Sequence, residues 1–364
     1  MKVHQIVPYL GSGEPISSQA LAIDEVLRSW GVASQIYAYN MDGFGRRHAV
    51  YDSEYRGVMH EGEDDVLIYH YALFCENYRL FTGSRHRKVL VYHNITPEDF
   101  YRDYHFESFF LCRLGRQYLR ELGGYDLALA DSEYNRRELL DMGFEEQKSA
   151  VLPIYPPLDY LEEAEEDPLL ARTLNDGKTN LLSVGRVVPN KRIEDVIKLF
   201  ACYHHGVNAT SRLVVAGFAL KTYYEALISL VRRLGLEGRV HFLGRVSNAQ
   251  LKACYRGCQY YISMSEHEGF STPLLESFHF GLVVLAYDAG AVPETMGGAG
   301  VLFAEKDYPL LAEFLDRLER DTLLKERVIA AQRERLGDFS RENFAGSLGR
   351  VLAHLLPLPE GVGN

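Results

Sequence analysis

Tyr260-Tyr-Ile-Ser-Met-Ser-Glu-His-Glu268-Gly-Phe-Ser-Thr-Pro-Leu-Leu-Glu276 carries the pattern that decides how this chain folds. Its first five residues form an apolar run that reads as a buried strand. Gly269 lets the backbone approach a ligand closely. Thr272 reads as a helix N-cap, Pro273 suits the first helical position, and Gly281 stops the helix just past its end. A strand therefore runs into a loop and the loop into a helix. Glu268 sits in the turn, and Glu276 lies one turn into the helix.

The same alternation extends in both directions. Strands are expected at 2–7, 33–38, 66–69, 88–92, 126–130 and 149–152, and again at 180–184, 211–216, 239–243, 259–263, 283–286 and 300–303. After the first strand, Ile16, Ala20, Ile23, Leu27 and Trp30 fall at helical spacings of three and four. Repeated strand–helix units imply parallel sheets with right-handed crossovers. Pro153-Ile-Tyr-Pro-Pro-Leu-Asp-Tyr160 and the acidic run 161–167 read as a linker or an edge. The expected architecture is α/β, with two doubly wound parallel-sheet domains at 1–155 and 178–335. A last helix near 341–356 has nothing left to pair with in sequence.

Bulk properties narrow the class. The chain has 364 residues, 47% of them hydrophobic, which suits two full cores. A formal charge of -11 argues against general nucleic-acid binding. The five cysteines form no CxxC pair, and Cys254 and Cys258 read as a buried thiol pair. A reduced, cytoplasmic protein fits, with neither signal peptide nor membrane span expected. Around 106–122, Phe109, Phe110, Leu114 and Leu119 interleave with Arg113, Arg116 and Arg120. Such a helix packs on a sheet with a solvated basic face, lies on an anionic membrane surface, or faces a phosphorylated acceptor.

Several strand ends carry candidate chemistry. Backbone N–H groups at a helix start bind phosphate, and ionised carboxylates accept hydrogen bonds from hydroxyls. The Glu268–Glu276 segment offers both, which points to a sugar nucleotide. Gly185-Arg186 and Lys191 follow the strand 180–184 and bring a guanidinium fork and a point charge suited to diphosphate. Gly11 and Gly13 form a loop after the first strand whose amides could lie close to the donor phosphate or the acceptor, although it lacks the third Gly of a dinucleotide fingerprint. His93 and His70 lie at strand ends in the first half. Asp131-Ser132-Glu133 reads as a helix cap or an acceptor contact. Gly217 and Gly244-Arg245-Val246 are strand-end loops able to frame a base. Asp64-Asp65 reads as a turn, and no metal is expected.

Taken together, these motifs resemble the retaining glycosyltransferases of family 4, whose two Rossmann-like domains make up the GT-B fold. The Gly-rich first loop, His93, Gly185-Arg186 with Lys191, Arg245-Val246, and Glu268 to Glu276 stand in that family's order. The stretch Lys88 to Pro97 is similar to a bacterial surface-polysaccharide subset that includes mannosyltransferases. Ser271-Thr272 depart from the family pattern, which has a Gly and an aliphatic residue there in many members. The resemblance implies a cleft between an N-terminal acceptor domain and a C-terminal donor domain, with the last helix crossing back. It implies a metal-independent transferase that needs no cofactor and takes a GDP- or UDP-sugar, with a lean to GDP-mannose. The acceptor would be a glycan or lipid-linked glycan, and the helix at 106–122, apart from the resemblance, suggests a peripheral place at the inner face of the plasma membrane. In this reading Arg186 and Lys191 neutralise the diphosphate and Glu268 holds donor-sugar hydroxyls. The amides of Gly269, Phe270, Ser271 and Thr272 hold phosphate or sugar. Glu276 binds the ribose, Arg245 and Val246 border the base, and His93 contacts the sugar or leaving group. His70 and Ser132 are acceptor candidates.

The alternatives are a sugar-nucleotide epimerase on the same fold, a dinucleotide oxidoreductase, a glycoside hydrolase using the two Glu as its acid pair, and a non-catalytic partner subunit. The missing third Gly opposes the oxidoreductase. Placing Glu276 inside a helix beside a phosphate-type site opposes the hydrolase.

Overall fold

The computed structural model describes residues 1–62, 64–156 and 158–359. The chain divides into two compact units, one of Met1–Glu98, Glu107–Pro157 and Phe339–Asn364, the other of Asp99–Phe106 and Leu158–Asp338.

The first unit holds a seven-stranded sheet. Its strands are β1 (Lys2–Leu10), β2 (Ala33–Met41), β3 (Ala49–Tyr51), β4 (Val66–Tyr71), β5 (Arg87–Tyr92), β6 (Leu127–Ala130) and β7 (Ser149–Val151), in the order β3-β2-β1-β4-β5-β6-β7. Every pairing is parallel. The strand order reverses between β1 and β4, which is where doubly wound sheets open a crevice. Only β3 was absent from the sequence reading. It is three residues long at the sheet edge, too short to show alternation, and its order comes from pairing with β2.

The second unit holds a six-stranded, all-parallel sheet of β8 (Asn180–Val184), β9 (Arg212–Ala216), β10 (Val240–Gly244), β11 (Tyr260–Ser263), β12 (Val283–Tyr287) and β13 (Val301–Phe303). Their order is β10-β9-β8-β11-β12-β13. The reversal lies between β8 and β11, so the loop after Val184 and the loop after Ser263 are spatial neighbours although far apart in sequence. The acidic run is part of this unit. Lys252 Nζ donates to the carbonyls of Glu162 and Ala164 at 2.6 and 2.9 Å, and Arg256 pairs with Glu166.

The chain crosses between the units more often than a simple linker requires. The final helix, Arg341–Leu352, belongs to the first unit, as its orphan status suggested. Phe344, Leu348 and Leu352, spaced every four residues, join Leu355 and Leu356 against Val3, Ile23, Leu27 and Val66. The segment Asp99–Phe106 goes the other way. Thr222 Oγ1 donates to the Tyr104 carbonyl at 2.6 Å, and the Tyr104 ring meets Tyr223 edge-on. Nothing in the composition of that segment announces it.

Candidate functional site

In the second unit, the switch point gathers the residues singled out from sequence. Gly185 and Arg186 leave β8, and the short turn Pro189–Lys191 follows. Asn190 ties this turn to the neighbouring loop. Its Nδ2 donates to the His267 carbonyl at 3.1 Å, and its own carbonyl accepts from Glu266 N at 2.9 Å. Lys191 Nζ then reaches Glu268 Oε1 at 2.6 Å. Ser183, Gly185, Arg186, Lys191, Ser265 and Glu268 line one small cleft.

Glu268 is 7% exposed, and its position is set by a residue that the sequence reading passed over. Gly290 stands at φ +58°, and a Cβ there would lie 2.4 Å from the Glu268 carbonyl oxygen and 2.9 Å from its nitrogen. Ala291 N donates to that same carbonyl at 2.9 Å. Asp288-Ala-Gly290, directly after β12, was the available signal.

The helix after the loop runs Thr272–Phe280, so it begins at the residue expected to cap it and its cap lies one position earlier. Ser271, not Thr272, is the N-cap. It has φ 81° and ψ 72°, a left-handed conformation unusual for a residue with a Cβ, and its side chain makes no cap bond. The amides of Ser271 and Thr272 have no partner among the described residues, which leaves the helix start open to an anion. Arg186 is exposed, and no carboxylate pairs with it among the described residues.

Glu276 is buried, and both its oxygens are in use. Tyr160 OH donates to Oε1 at 2.9 Å and Tyr255 OH to Oε2 at 2.5 Å. Burial pushes its carboxyl above the usual range, against the pull of the two phenols. Neither tyrosine was foreseen. Each oxygen keeps a second lone pair for a ligand hydroxyl.

The strand-end glycines adjoin one another across β8, β9 and β10. Gly185 N bonds the Ala216 carbonyl and Gly217 N the Gly244 carbonyl, at 3.0 and 2.8 Å. A Cβ at Gly217 would fall 1.8 Å from the Gly185 oxygen, so only glycine fits. Gly217, Ala219, Lys221, Tyr224, Phe242, Leu243 and Gly244 line a cavity of about 380 Å³. Arg245 is exposed and Val246 half-buried beside this lining.

In the first unit the expectations need more correction. Two amides of the first loop are already bonded: Gly11 N donates to Ser17 Oγ at 3.0 Å and Ser12 N to Asp42 Oδ2 at 3.2 Å. They are not open to a phosphate, and Gly13, at φ 76°, serves the turn. The His93 side chain is 2% exposed and both its nitrogens are engaged, Nδ1 with Asp131 at 3.0 Å and Nε2 with His70 at 2.9 Å. It has no free nitrogen for a sugar or leaving group. His70 is fully buried, and Ser132 caps the helix Glu133–Asp141 by accepting from Asn135 N. Both side chains are buried and already hydrogen-bonded.

The helix Phe106–Leu119 ends before Arg120, and Arg116 is only partly exposed. It donates to the Ile95 carbonyl and to Glu138 Oε1, at 2.9 and 2.8 Å. Phe106 and Phe110 are 75% and 42% exposed, and Arg113 and Arg120 are also exposed. Asp65 does more than turn the chain: with His4 and His86 it forms a compact cluster at the opposite strand ends. All four ring nitrogens there have hydrogen-bond partners (Tyr37, Asp65, Tyr55 and the Glu61 carbonyl), so the cluster is satisfied as it stands. Cys254 and Cys258 are buried free thiols, and burial pushes Cys254 up to about 12.

Residues 170–335 match the family described as glycosyl transferases group 1. The match lies within the second unit and covers a little under half of the chain. Relatives with curated names share less. The O-antigen chain mannosyltransferase B of Escherichia coli is 23% identical over 60% of this chain and 58% of that protein. The serotype-specific mannosyltransferase WbdA of Escherichia coli is 23% identical over 71% of this chain and 32% of its own length. The chain therefore spans little more than half of the first of these and about a third of the second. Among solved structures, Anabaena HepE in complex with UDP and glucose superposes with a TM-score of 0.75 at 16% identity, over 97% of this chain and 100% of that one. The trehalose-6-phosphate protein of E. coli bound with UDP-2-fluoro glucose gives 0.71 at 14% identity, over 99% and 100%. These likenesses agree with a GT-B fold of two parallel-sheet α/β units. No helix among the described residues is long and apolar enough to cross a membrane.

Proposed function

We propose that this protein is a retaining, metal-independent hexosyltransferase of glycosyltransferase family 4. It moves a sugar from a nucleotide-diphospho-sugar to a glycan or lipid-linked glycan in surface polysaccharide assembly. The observation that carries the reading is the convergence at the β8/β11 switch point. There the Lys191–Glu268 pair, the unpaired Arg186 and the open amides of Ser271 and Thr272 share one edge of the second unit.

The chemistry follows from those groups. Arg186 and Lys191 neutralise the departing diphosphate, supplying positive charge where negative charge develops. Because cationic side chains do this, a divalent ion is not required. Lys191 now pairs with Glu268, so a bound diphosphate competes for the ammonium and frees Glu268 to accept from sugar hydroxyls. Glu276, steadied by Tyr160 and Tyr255, takes the ribose hydroxyls. The cavity between Gly217 and Gly244 takes the base, with Arg245 and Val246 at its border. Retention follows if the acceptor attacks on the face that the phosphate leaves and the phosphate takes its proton. The first unit serves the acceptor. A cytoplasmic location at the inner face of the plasma membrane places the protein beside a lipid-linked acceptor, with Phe106, Phe110, Arg113 and Arg120 meeting anionic lipid.

GDP-mannose is the favoured donor, supported by the mannosyltransferase names of relatives at 23% identity. A UDP-sugar is the second reading, supported by the UDP and UDP-2-fluoro glucose bound in the solved neighbours. The test is to incubate labelled GDP-mannose or UDP-glucose with and without a mannose-containing glycan. Acceptor-dependent transfer with retained anomeric configuration is the expected result. Nucleotide release that ignores the acceptor would point to an epimerase instead.

A further inference from the structure

We infer that Gln5, His70, His93 and Asp131 form a sealed hydrogen-bond chain that holds one proton more than two neutral imidazoles and a carboxylate would carry, which makes the His93–Asp131 pair a proton holder. His70 and Gln5 are positioning residues for that pair. The proton count does not depend on the transferase reading; only its consequence for that chemistry does.

The count starts at Gln5, a fully buried residue of β1. Its Nε2 donates to the Ala20 carbonyl at 3.0 Å, which fixes the amide, because the flipped form would face two oxygens. Oε1 is therefore the atom 3.1 Å from His70 Nε2, and it must receive a hydrogen from that ring. His70 Nδ1 is then 2.9 Å from His93 Nε2, and His93 Nδ1 is 3.0 Å from Asp131 Oδ2. Each of these three contacts needs one hydrogen. Two neutral rings supply two, and an ionised carboxylate supplies none. Without a third proton, one contact would set two lone pairs against each other in a buried place, where an unmade hydrogen bond is costly.

The proton belongs to the His93–Asp131 end. Burial holds His70 well below the usual histidine range, with His93 adding to the effect. Burial also pushes Asp131 up, opposed by His93. Asp131 Oδ1 is buried without a partner, a poor setting for a full anion. The charged groups on the adjoining elements are committed elsewhere: Glu138 takes the Tyr92 phenol, Asn94 Nδ2 and Arg116. The chain of contacts thus spans four neighbouring strands, from β1 through β4 and β5 to the end of β6, and carries no net charge. A ring held this way has no lone pair to take an acceptor's proton, in keeping with a mechanism in which phosphate does so.

The test uses the full chain with ¹⁵N-labelled histidine and ¹³C-labelled aspartate. Expected at pH 7–8 is one of the thirteen imidazoles with both nitrogens protonated, or one protonated at Nε2 beside a protonated Asp131 carboxyl. Asp131→Asn supplies its own N–H to His93 Nδ1, so that variant satisfies all three contacts with no extra proton. The folded state then holds one proton that the unfolded chain has released above about pH 6.5. Relative to Asp131→Asn, the wild-type folding constant should fall by up to about tenfold per pH unit above that value, until the folded chain releases the proton. A neutral His93 protonated at Nδ1 beside an ionised Asp131 would overturn the inference, as would parallel pH profiles. Should the variant fail to fold, the wild-type spectra decide alone. Donor turnover is read separately, so failure of the transferase reading leaves the count untouched.

Discussion

Gly290→Ala offers the sharpest probe of the site, because Gly290 need touch no ligand. An alanine Cβ at this position would lie 2.4 Å from the Glu268 carbonyl oxygen. Ordinary contact begins near 3.4 Å, so the two backbones must part by about 1 Å. The neighbour is main chain and cannot rotate away as a side chain would. A misplacement of about 1 Å in a positioned group costs on the order of 10²-fold in rate. The left-handed backbone at φ +58° adds roughly 1–2 kcal/mol of strain for any residue with a Cβ. The variant should therefore show kcat/KM down by about two orders of magnitude. Thermal denaturation should show only the smaller stability loss, and the protein should remain folded. The assay is steady-state donor turnover beside a denaturation curve. Wild-type kcat/KM in a folded Gly290→Ala protein would refute the argument that the Asp288–Gly290 loop sets Glu268.

Other expectations rest on single features. Ser271→Gly removes the strain of the left-handed cap and should leave the fold as stable or raise it by up to about 1 kcal/mol, whereas Ser271→Val should lower it; denaturant unfolding reads both. Although burial pulls the Asp195 carboxyl up, bonds from Lys306, Lys198 and Tyr308 hold it well below the usual carboxylate range. Its folded pKa is depressed, so its contribution is present above about pH 4 and lost as pH falls further. Asp195→Asn should flatten the acid limb of the stability profile, and an unchanged limb would show that other groups set it. Replacing Arg113 and Arg120 with Glu should abolish sedimentation with anionic liposomes at low salt, while Arg116, being tied to Glu138, should contribute nothing to it.

Much of the fold could be read from the sequence because it follows from local pattern. Among the described residues, twelve of the thirteen strands announce themselves as apolar runs between turn residues, and strand–helix alternation then requires parallel sheets. The exception, Ala49–Tyr51, takes its order from a neighbour. The crossing of Asp99–Phe106 into the second unit depends on Thr222 and Tyr223, more than a hundred positions away, which no local pattern encodes. The site divides along the same line. Residues with a charge or a helix start to contribute, such as Arg186, Lys191, Glu268 and Glu276, stand out by type and spacing. Residues that act by contact do not: Tyr160 and Tyr255 on Glu276, and Gly290 under Glu268, matter only once the strands are paired. The histidines mislead for the opposite reason. A strand-end His reads as reactive, and only the packing shows that His93 and His70 spend their nitrogens on each other, on Asp131 and on Gln5.

The central claim is that the β8/β11 edge of the second unit binds a nucleoside diphosphate. The measurement that tests it most directly is the thermal shift of the folded protein with GDP, UDP, ADP and dTDP and their sugar conjugates, because a ligand that binds only the folded state must raise its apparent stability. The account predicts a selective shift with one nucleotide class, strongest for GDP, that is lost in Arg186→Ala and in Glu276→Ala. No shift with any nucleotide, in protein shown to be folded, would contradict it.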